Sequence, residues 1–328
     1  MISVARLRRK PRHFQTFTGL SPLEFDRLVG ELTPVYQAAQ QQRRRHSGRK
    51  RQPGAGHPFA LDLPERLLMG LMYLRLYVGQ SLLSLLFDIG QSNVCRELSQ
   101  RLLPVLQEVL VLPIPLRDAP LRAEPKPLPE PSQPAQGKKK GRRINTSGEL
   151  LRAYPEIKDV LIDATEQPIP QPRDNHKRKL VYSGKQHTPT IKTQILASRE
   201  LILHVLGGLP GCLNDQSLLG ASGVLHQVPP GVRVLLDKGY AGTDKRYPDV
   251  AVVPPVKKRP GHQLTVLGRP YEHLLSVLRM PVEHHFARLK RFRILADVFR
   301  GRRQAHEDRF CIVAGLLNFR QTGQFCLG

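Results

Sequence analysis

Apolar and polar positions follow two different rhythms along the chain. Up to about residue 110 apolar residues recur every three or four positions, the period of amphipathic helices. From about residue 154 short β-rich runs alternate with longer amphipathic stretches. In residues 20–32 (LSPLEFDRLVGEL), Phe25, Leu28, Val29 and Leu32 share one helical face. Ser21, followed by Pro22 and with Glu24 three positions on, has the form of a capping box. Helices are expected over 64–77, 81–88 and 93–110, with Gly90 breaking the pattern and Ser92 capping the third.

Two short helices around a tight glycine turn have helix-turn-helix spacing. In that geometry the first residues of the second helix reach base edges. Here those are Ser92, Asn93 and Arg96, with Gln100 behind them. Asn and Arg suit adenine and guanine, although an ordinary helical hairpin would show the same pattern. Prolines at 113, 115, 120, 125, 127, 129, 131 and 134 then forbid regular structure, and a basic knot, KKKGRR, follows at 138–143. The expected organisation is an all-α front domain (1–112), a Pro-rich basic linker (113–150) and an α/β domain (151–328).

In the second half, strands are expected at 160–162, 190–197, 201–207, 232–236 and 250–253. A helix is expected at 214–226, while 167–189 and 257–270 are polar, basic loops. Two helices close the chain. In the first, within 279–295, Leu278, Val282, Phe286 and Leu289 fall on one face, and Glu283 lies at its border. Lys290 stands two turns along the same edge, and Arg279 joins it if the helix begins early enough. Pro281 suits a first turn, where its missing N–H costs nothing. The second spans 306–319.

Three acids stand out in this pattern. Asp163 and Asp237 each end an apolar strand, and Glu283 sits on a helix facing the same sheet. Ligands of open α/β sheets bind beyond the carboxyl ends of the strands. Carboxylates gathered there make a hard-oxygen site for Mg²⁺ or Mn²⁺. Two such ions perform in-line phosphoryl displacement, with Lys290, Arg279, Lys238, Lys185 and Lys192 as phosphate contacts. Singly, each acid could equally cap a strand or start a turn. Asp159 or Glu166 could replace Asp163 as a ligand, and Asp215 could replace Asp237.

Charge narrows the partners. The chain carries 51 Lys and Arg against 27 Asp and Glu, a net +24, so a polyanion is the expected partner and nucleic acid the commonest one. An acidic membrane surface is the alternative, but no apolar run approaches the ~20 residues needed to span a bilayer. Residues 40–57 form a basic loop, either a DNA-backbone contact or a merely solvated charge run. The basic start lacks the apolar core of a secretory signal. Four scattered cysteines, Cys95, Cys212, Cys311 and Cys326, offer no zinc spacing and fit a reducing, cytoplasmic setting.

The passages LIDATEQPIPQP, YSGKQHTPTIKTQ, LNDQSLL, LLDKGYAG and VEHHFARLKRFRIL resemble bacterial insertion-sequence transposases of the DDE endonuclease superfamily, related to the Harbinger elements of eukaryotes. The resemblance implies an RNase H-like fold with an Asp–Asp–Glu triad, which falls on Asp163, Asp237 and Glu283. The family's arginine before the glutamate and lysine after it fall on Arg279 and Lys290. The related pattern has a tyrosine where this chain has Ser276. What the resemblance implies is a transposase that binds the terminal inverted repeats of its element, cuts double-stranded DNA with two Mg²⁺ or Mn²⁺ ions, and joins 3′-hydroxyls to target DNA as a homo-oligomer. The rival readings are a metal-dependent endonuclease without integration and a non-catalytic DNA-binding regulator.

Overall fold

The computed structural model describes residues 2–46, 61–113, 154–253 and 268–323. The basic segment from 47, the Pro-rich stretch from 114 and the loop 254–267 lie outside them, and so do Arg49, Lys50, Arg51 and Cys326.

The front of the chain is helical: α1 (Val4–Arg8), α2 (Pro11–Thr18), α3 (Pro22–His46), α4 (Leu63–Leu76), α5 (Gln80–Phe87), α6 (Gln91–Arg96) and α7 (Leu103–Val109), with a π-helical turn over 97–102 joining the last two. The capping box at the head of α3 forms in both directions. Ser21 N donates to Glu24 Oε2 at 2.6 Å, and Glu24 N donates to Ser21 Oγ at 3.3 Å. The helix runs on through residues 40–46, where a loop was expected, because that polar run contains Gln and Arg, which are good helix formers, and no breaker before Ser47. A buried charge network ties α3, α4 and the π-turn. Arg66 Nη1 donates to Glu97 Oε2 at 2.9 Å, and Tyr36 Oη donates to Glu97 Oε1 at 2.7 Å.

Asp88, in the left-handed region at φ 53°, ends α5, and Gly90 rather than Ser92 is the cap of α6. Ser92, Asn93 and Arg96 therefore lie within α6 and are exposed. Arg96 folds back on its own turn, Nη2 donating to Asn93 Oδ1 at 3.0 Å.

The second half is built on one mixed sheet. Its strands are β1 (Asp159–Pro168), β2 (Tyr182–Ser183), β3 (Thr188–Ala197), β4 (Ile202–Pro210), β5 (Arg233–Leu236) and β6 (Val252–Val253). β1, β3 and β4 form an antiparallel meander, while β5 and β6 run parallel to β1, giving the spatial order β4–β3–β1–β5–β6 with β2 on the free end of β3. This is the RNase H-like arrangement. Short helices α8 (Asn175–Val181), α9 (Asp215–Ser222) and α10 (Thr243–Arg246) connect the strands. α8, inside an expected loop, is nucleated by Asp174, whose side chain accepts from Lys177 N.

Two long helices cover the sheet. α11 (Gly268–Lys290) lays Val282, Phe286 and Leu289 into the core, as its periodicity predicted. It starts well before the expected point, so Pro281 lies in its interior and one backbone hydrogen bond is missing there. α12 (Gln304–Thr322) is buried along most of its length. Its Asn318 completes the edge of β4, accepting from Ile202 N at 2.9 Å and donating to Ile202 O at 2.8 Å.

The helical front and the sheet layer share one apolar cluster that runs from Phe14, Phe25 and Leu106 to Phe286, Phe310 and Leu316. Arg300 N donates to Tyr77 Oη at 2.7 Å, with its guanidinium 4.2 Å from that ring. The approach is closest at Gly315, where a Cβ would lie 2.5 Å from the carbonyl oxygen of Leu110. Gly315→Ala is therefore expected to destabilise the whole chain by about 1–3 kcal/mol, since backbone rather than a flexible side chain must move. Urea unfolding followed by far-UV circular dichroism would show one transition shifted to lower urea.

Candidate active site

The acids are placed by the sheet's register. The parallel ladder between β1 and β5 ends at the pair Ile162–Leu236. Asp163 and Asp237 are the next residue on each strand, so the ladder delivers two carboxyl groups side by side. Asp237 leaves the sheet there. Asp163, expected at a strand end, is instead inside β1, which continues five residues further against β3 as far as Pro168. An apolar run marks only the part of a strand that is buried on both sides, and β1 outlasts its run.

Asp163 is shifted chiefly by its burial. Burial raises the Asp163 carboxyl from 3.8 to about 6. The Ala164 N–H, donating at 2.8 Å, and Arg279 oppose the rise, while Asp237 and Asp215 add to it. Arg279 Nη1 lies 2.8 Å from Asp237 Oδ1. Lys290 is lowered by burial, with Asp163 pulling it back up and Lys185 pushing it down.

Glu283 stands on α11 between Arg279 and Lys290. At 100° per residue it lies roughly 40° from Arg279 and roughly 20° from Lys290, on one edge of the helix. It is exposed, and among the described residues no three His, Cys, Asp or Glu side chains converge closely enough to hold an ion. The structure thus joins Asp163 with Asp237 and sets Glu283 on the facing helix edge without drawing it in. In donor chemistry the pair suits a hard divalent cation: two carboxylates, one desolvated, with a guanidinium now balancing the other.

The remaining basic residues divide. Lys185 is exposed in the turn before β3. Lys192, expected to contact phosphate, is 9% exposed and already engaged. Its Nζ donates to Leu213 O at 2.6 Å and lies 3.2 Å from Asp215 Oδ1 and 3.5 Å from Glu166 Oε1. The Lys238 side chain is not among those described. Two of the rival acids, Glu166 and Asp215, are thereby held as partners of Lys192, and the third, Asp159, pairs with Arg233 at 2.6 Å.

Sequence reasoning missed Tyr240. It is 1% exposed, and burial, reinforced by Asp215, Asp163 and Asp237, pushes its phenol well above the ordinary range. Gly239 beside it leaves room for Asp215, whose Oδ2 would be 2.7 Å from a Cβ at that position. The motif LLDKGYAG held the signal, a glycine and a tyrosine directly after an acid at a strand end.

Comparison with known proteins covers the stretch that contains these residues. The model of a family described as DDE superfamily endonuclease matches residues 162–318, and that of the helix-turn-helix of DDE superfamily endonuclease matches 59–110. Together they take in more than half of the chain. A probable transposase for insertion sequence element IS702, from Microchaete diplosiphon, is 33% identical over 172 residues. That match covers 52% of this chain and 60% of the relative, so the chain spans less than two thirds of the curated relative's length. Among solved structures, a pre-cleavage Mos1 transpososome aligns at 13% identity over 83% of this chain and 85% of that one, with a TM-score of 0.19. A Mos1 mariner paired-end complex with Mn aligns at 14% identity over 84% and 86%, with a TM-score of 0.18.

The raised Asp163 pKa sets a sign for stability in EDTA. Its contribution is fully present below the unfolded value near 3.8 and is lost as pH rises through about 6. The displacement, discounted for solvent reaching a half-buried carboxyl, corresponds to about 1–2 kcal/mol. Asp163→Asn is therefore expected to be more stable than the natural chain at pH 7.5 and equal to it at pH 4. Thermal melts across that range would check this, and added Mg²⁺ should close the gap at pH 7.5.

Proposed function

Given that the chain belongs to the DDE superfamily of endonucleases, we propose that it is an insertion-sequence transposase: it binds the terminal inverted repeats of its element, cuts DNA there and joins the freed 3′-hydroxyls to target DNA. The observation that carries the reading is the pairing of Asp163 and Asp237 one residue past the end of a parallel ladder, under a helix edge bearing Arg279, Glu283 and Lys290. In this reading residues 1–112 bind DNA, 113–150 link and 151–328 carry the chemistry.

Asp163 and Asp237, with Glu283 as the third carboxylate, would hold Mg²⁺ or Mn²⁺, two ions in the full reaction. When bound, the ions supply the activated oxygen nucleophile and stabilise the leaving oxygen. Lys290 and Lys185 would bind the scissile phosphate and offset the charge that develops on it. Arg279, now on Asp237, would turn to phosphate when a cation takes its place. Asn93 and Arg96, exposed at the head of α6, would read base edges in the major groove, with Ser92 beside them holding a phosphate. Bringing two element ends together calls for at least two copies of the chain. Among the described residues no helix is long and apolar enough to cross a membrane, and a DNA substrate places the work at the bacterial nucleoid, in the cytoplasm.

Glu283→Gln is expected to abolish metal-dependent nicking of a duplex carrying the element's end while changing DNA affinity little. Labelled-strand cleavage with Mg²⁺ or EDTA, beside a gel-shift titration, measures both. A regulator would be indifferent to this change, and a plain nuclease would cut but yield no strand-transfer product. Asn93→Ala should cost about 1–3 kcal/mol of preference for the terminal repeat and leave binding to unrelated DNA intact; competition between the two duplexes reads this directly.

A further inference from the structure

A second concentration of charge lies away from the acids. Where α2 and α4 meet α11 and α12, a cleft of about 430 Å³ is lined by Arg75, Arg288, Arg291 and Arg320, with Thr16 and Gln321 among its neutral residues. Arg288 is roughly 180° around α11 from Arg279, so the cleft and the acid pair lie on different sides of that helix.

The four guanidiniums are underbalanced. Glu24 Oε1 is 3.6 Å from Arg320 Nε, and Glu200, which accepts from Gln321 Nε2 at 2.9 Å, acts on Arg288 from beyond salt-bridge distance. Arg288 Nη2 is 3.1 Å from His285 Nδ1, but burial holds that imidazole down at about 4, so it is neutral and offsets nothing. Arg288 Nε is buried without a partner. Arg75 Nε donates to Thr16 O at 3.4 Å. Among the described residues Arg291 has no ion pair, and it is exposed. Burial first, and then Arg291 and Arg320, lower the Arg75 guanidinium. Arg288 feels the same three, relieved in part by Glu200. Four forks converging around an open volume match the oxygens of phosphate.

Among the described residues lining the cleft, no aromatic face is open for a base. Phe292 is fully buried, with Arg75 4.9 Å from its ring and Gly19 packed against it. The cleft can therefore grip a phosphate but cannot stack a nucleobase, which favours backbone over free nucleotide.

We propose that this cleft binds the phosphodiester backbone of duplex DNA, at a position separate from the acid pair. The proposal rests on the reading of the chain as a DNA-processing enzyme. Thr16 and Arg75 come from the helical front, and Arg288, Arg291 and Arg320 from the sheet layer. A strand seated between them fixes the DNA against both parts at once, and so sets the distance from the helix-turn-helix to the cutting site.

The test uses the full chain and the variant R291Q/R320Q, with R291Q alone as the milder change. Affinity for a short duplex of unrelated sequence is measured by fluorescence anisotropy in EDTA at salt from about 50 to about 200 mM. The slope of log affinity on log salt should become shallower by about 0.9 for each phosphate that is no longer neutralised, equally for every DNA sequence. An unchanged slope and affinity in both variants overturns the proposal. In a second arm, pyrophosphate is added at constant ionic strength during thermal melting. Stabilisation of the natural chain that the variants lose, with the DNA slope unchanged, assigns the cleft to free phosphates and also overturns it. Element-end cleavage is scored separately. If the chain never cuts DNA but the variants lose salt slope, the proposed function fails and the phosphate site stands.

Discussion

The parallel pairing of β1 with β5 is the constraint on which the site depends. A ladder that ends at Ile162 and Leu236 brings two strands together in register and then releases them, so the next residue on each is an acid. The folding energy of the sheet, supplied by Val160, Leu161, Ile162, Val234, Leu235 and Leu236, all nearly inaccessible to solvent, holds two like charges closer than they would choose. α11 docks Val282, Phe286 and Leu289 on this sheet and presents its cationic edge to the pair. Remove the register, and Arg279 loses its reach to Asp237, while the raised Asp163 pKa, set first by burial, loses the smaller push that Asp237 adds.

Around this pair the protein separates charges that work from charges that hold. Lys192 is enclosed by Glu166, Asp215 and the Leu213 carbonyl, which joins β1, β3 and the head of α9 into one polar unit. Such a buried, mutually satisfied cluster specifies position more than it adds stability. Tyr240, buried within electrostatic reach of Asp215, Asp163 and Asp237, has its phenol kept neutral and so adds no charge there. Gln167 and His306 play the same part further along β1, where Gln167 Nε2 donates to the carbonyls of Ile294 and Asp297 and anchors the segment after α11.

Much of this was legible in the chain. The helix periods, the capping box at Ser21 and Glu24, the core face of α11 and the order of the strands follow from spacing, because each depends on neighbours within a few residues. Asp163 as an interior strand residue was not legible, since β1's extension is fixed by pairing with β3, a contact across some thirty residues. Pro281 looked like a helix start because local rules favour it there, whereas α11 tolerates it because its other contacts hold the helix through the gap. Lys192 looked like a surface cation because nothing near it in sequence announces Glu166 and Asp215 as its partners. The arginine cleft was invisible for the same reason: its walls are drawn from residues as distant as Thr16 and Gln321.

The apolar cluster that the helical front shares with the sheet layer bears on how such a chain diversifies. Modular proteins acquire a new address by trading one domain for another, which works when the surfaces between modules are small and wet. Here a transplanted front end would arrive with an apolar face shaped to another sheet layer, and the end of its last helix would have to approach Gly315 as closely as Leu110 does. In the proposed reading, change in what the protein recognises must therefore come piecemeal, by substitution on the exposed turn at the head of α6. Descendants of one such chain would keep a common frame while drifting apart in the few residues that touch the outside.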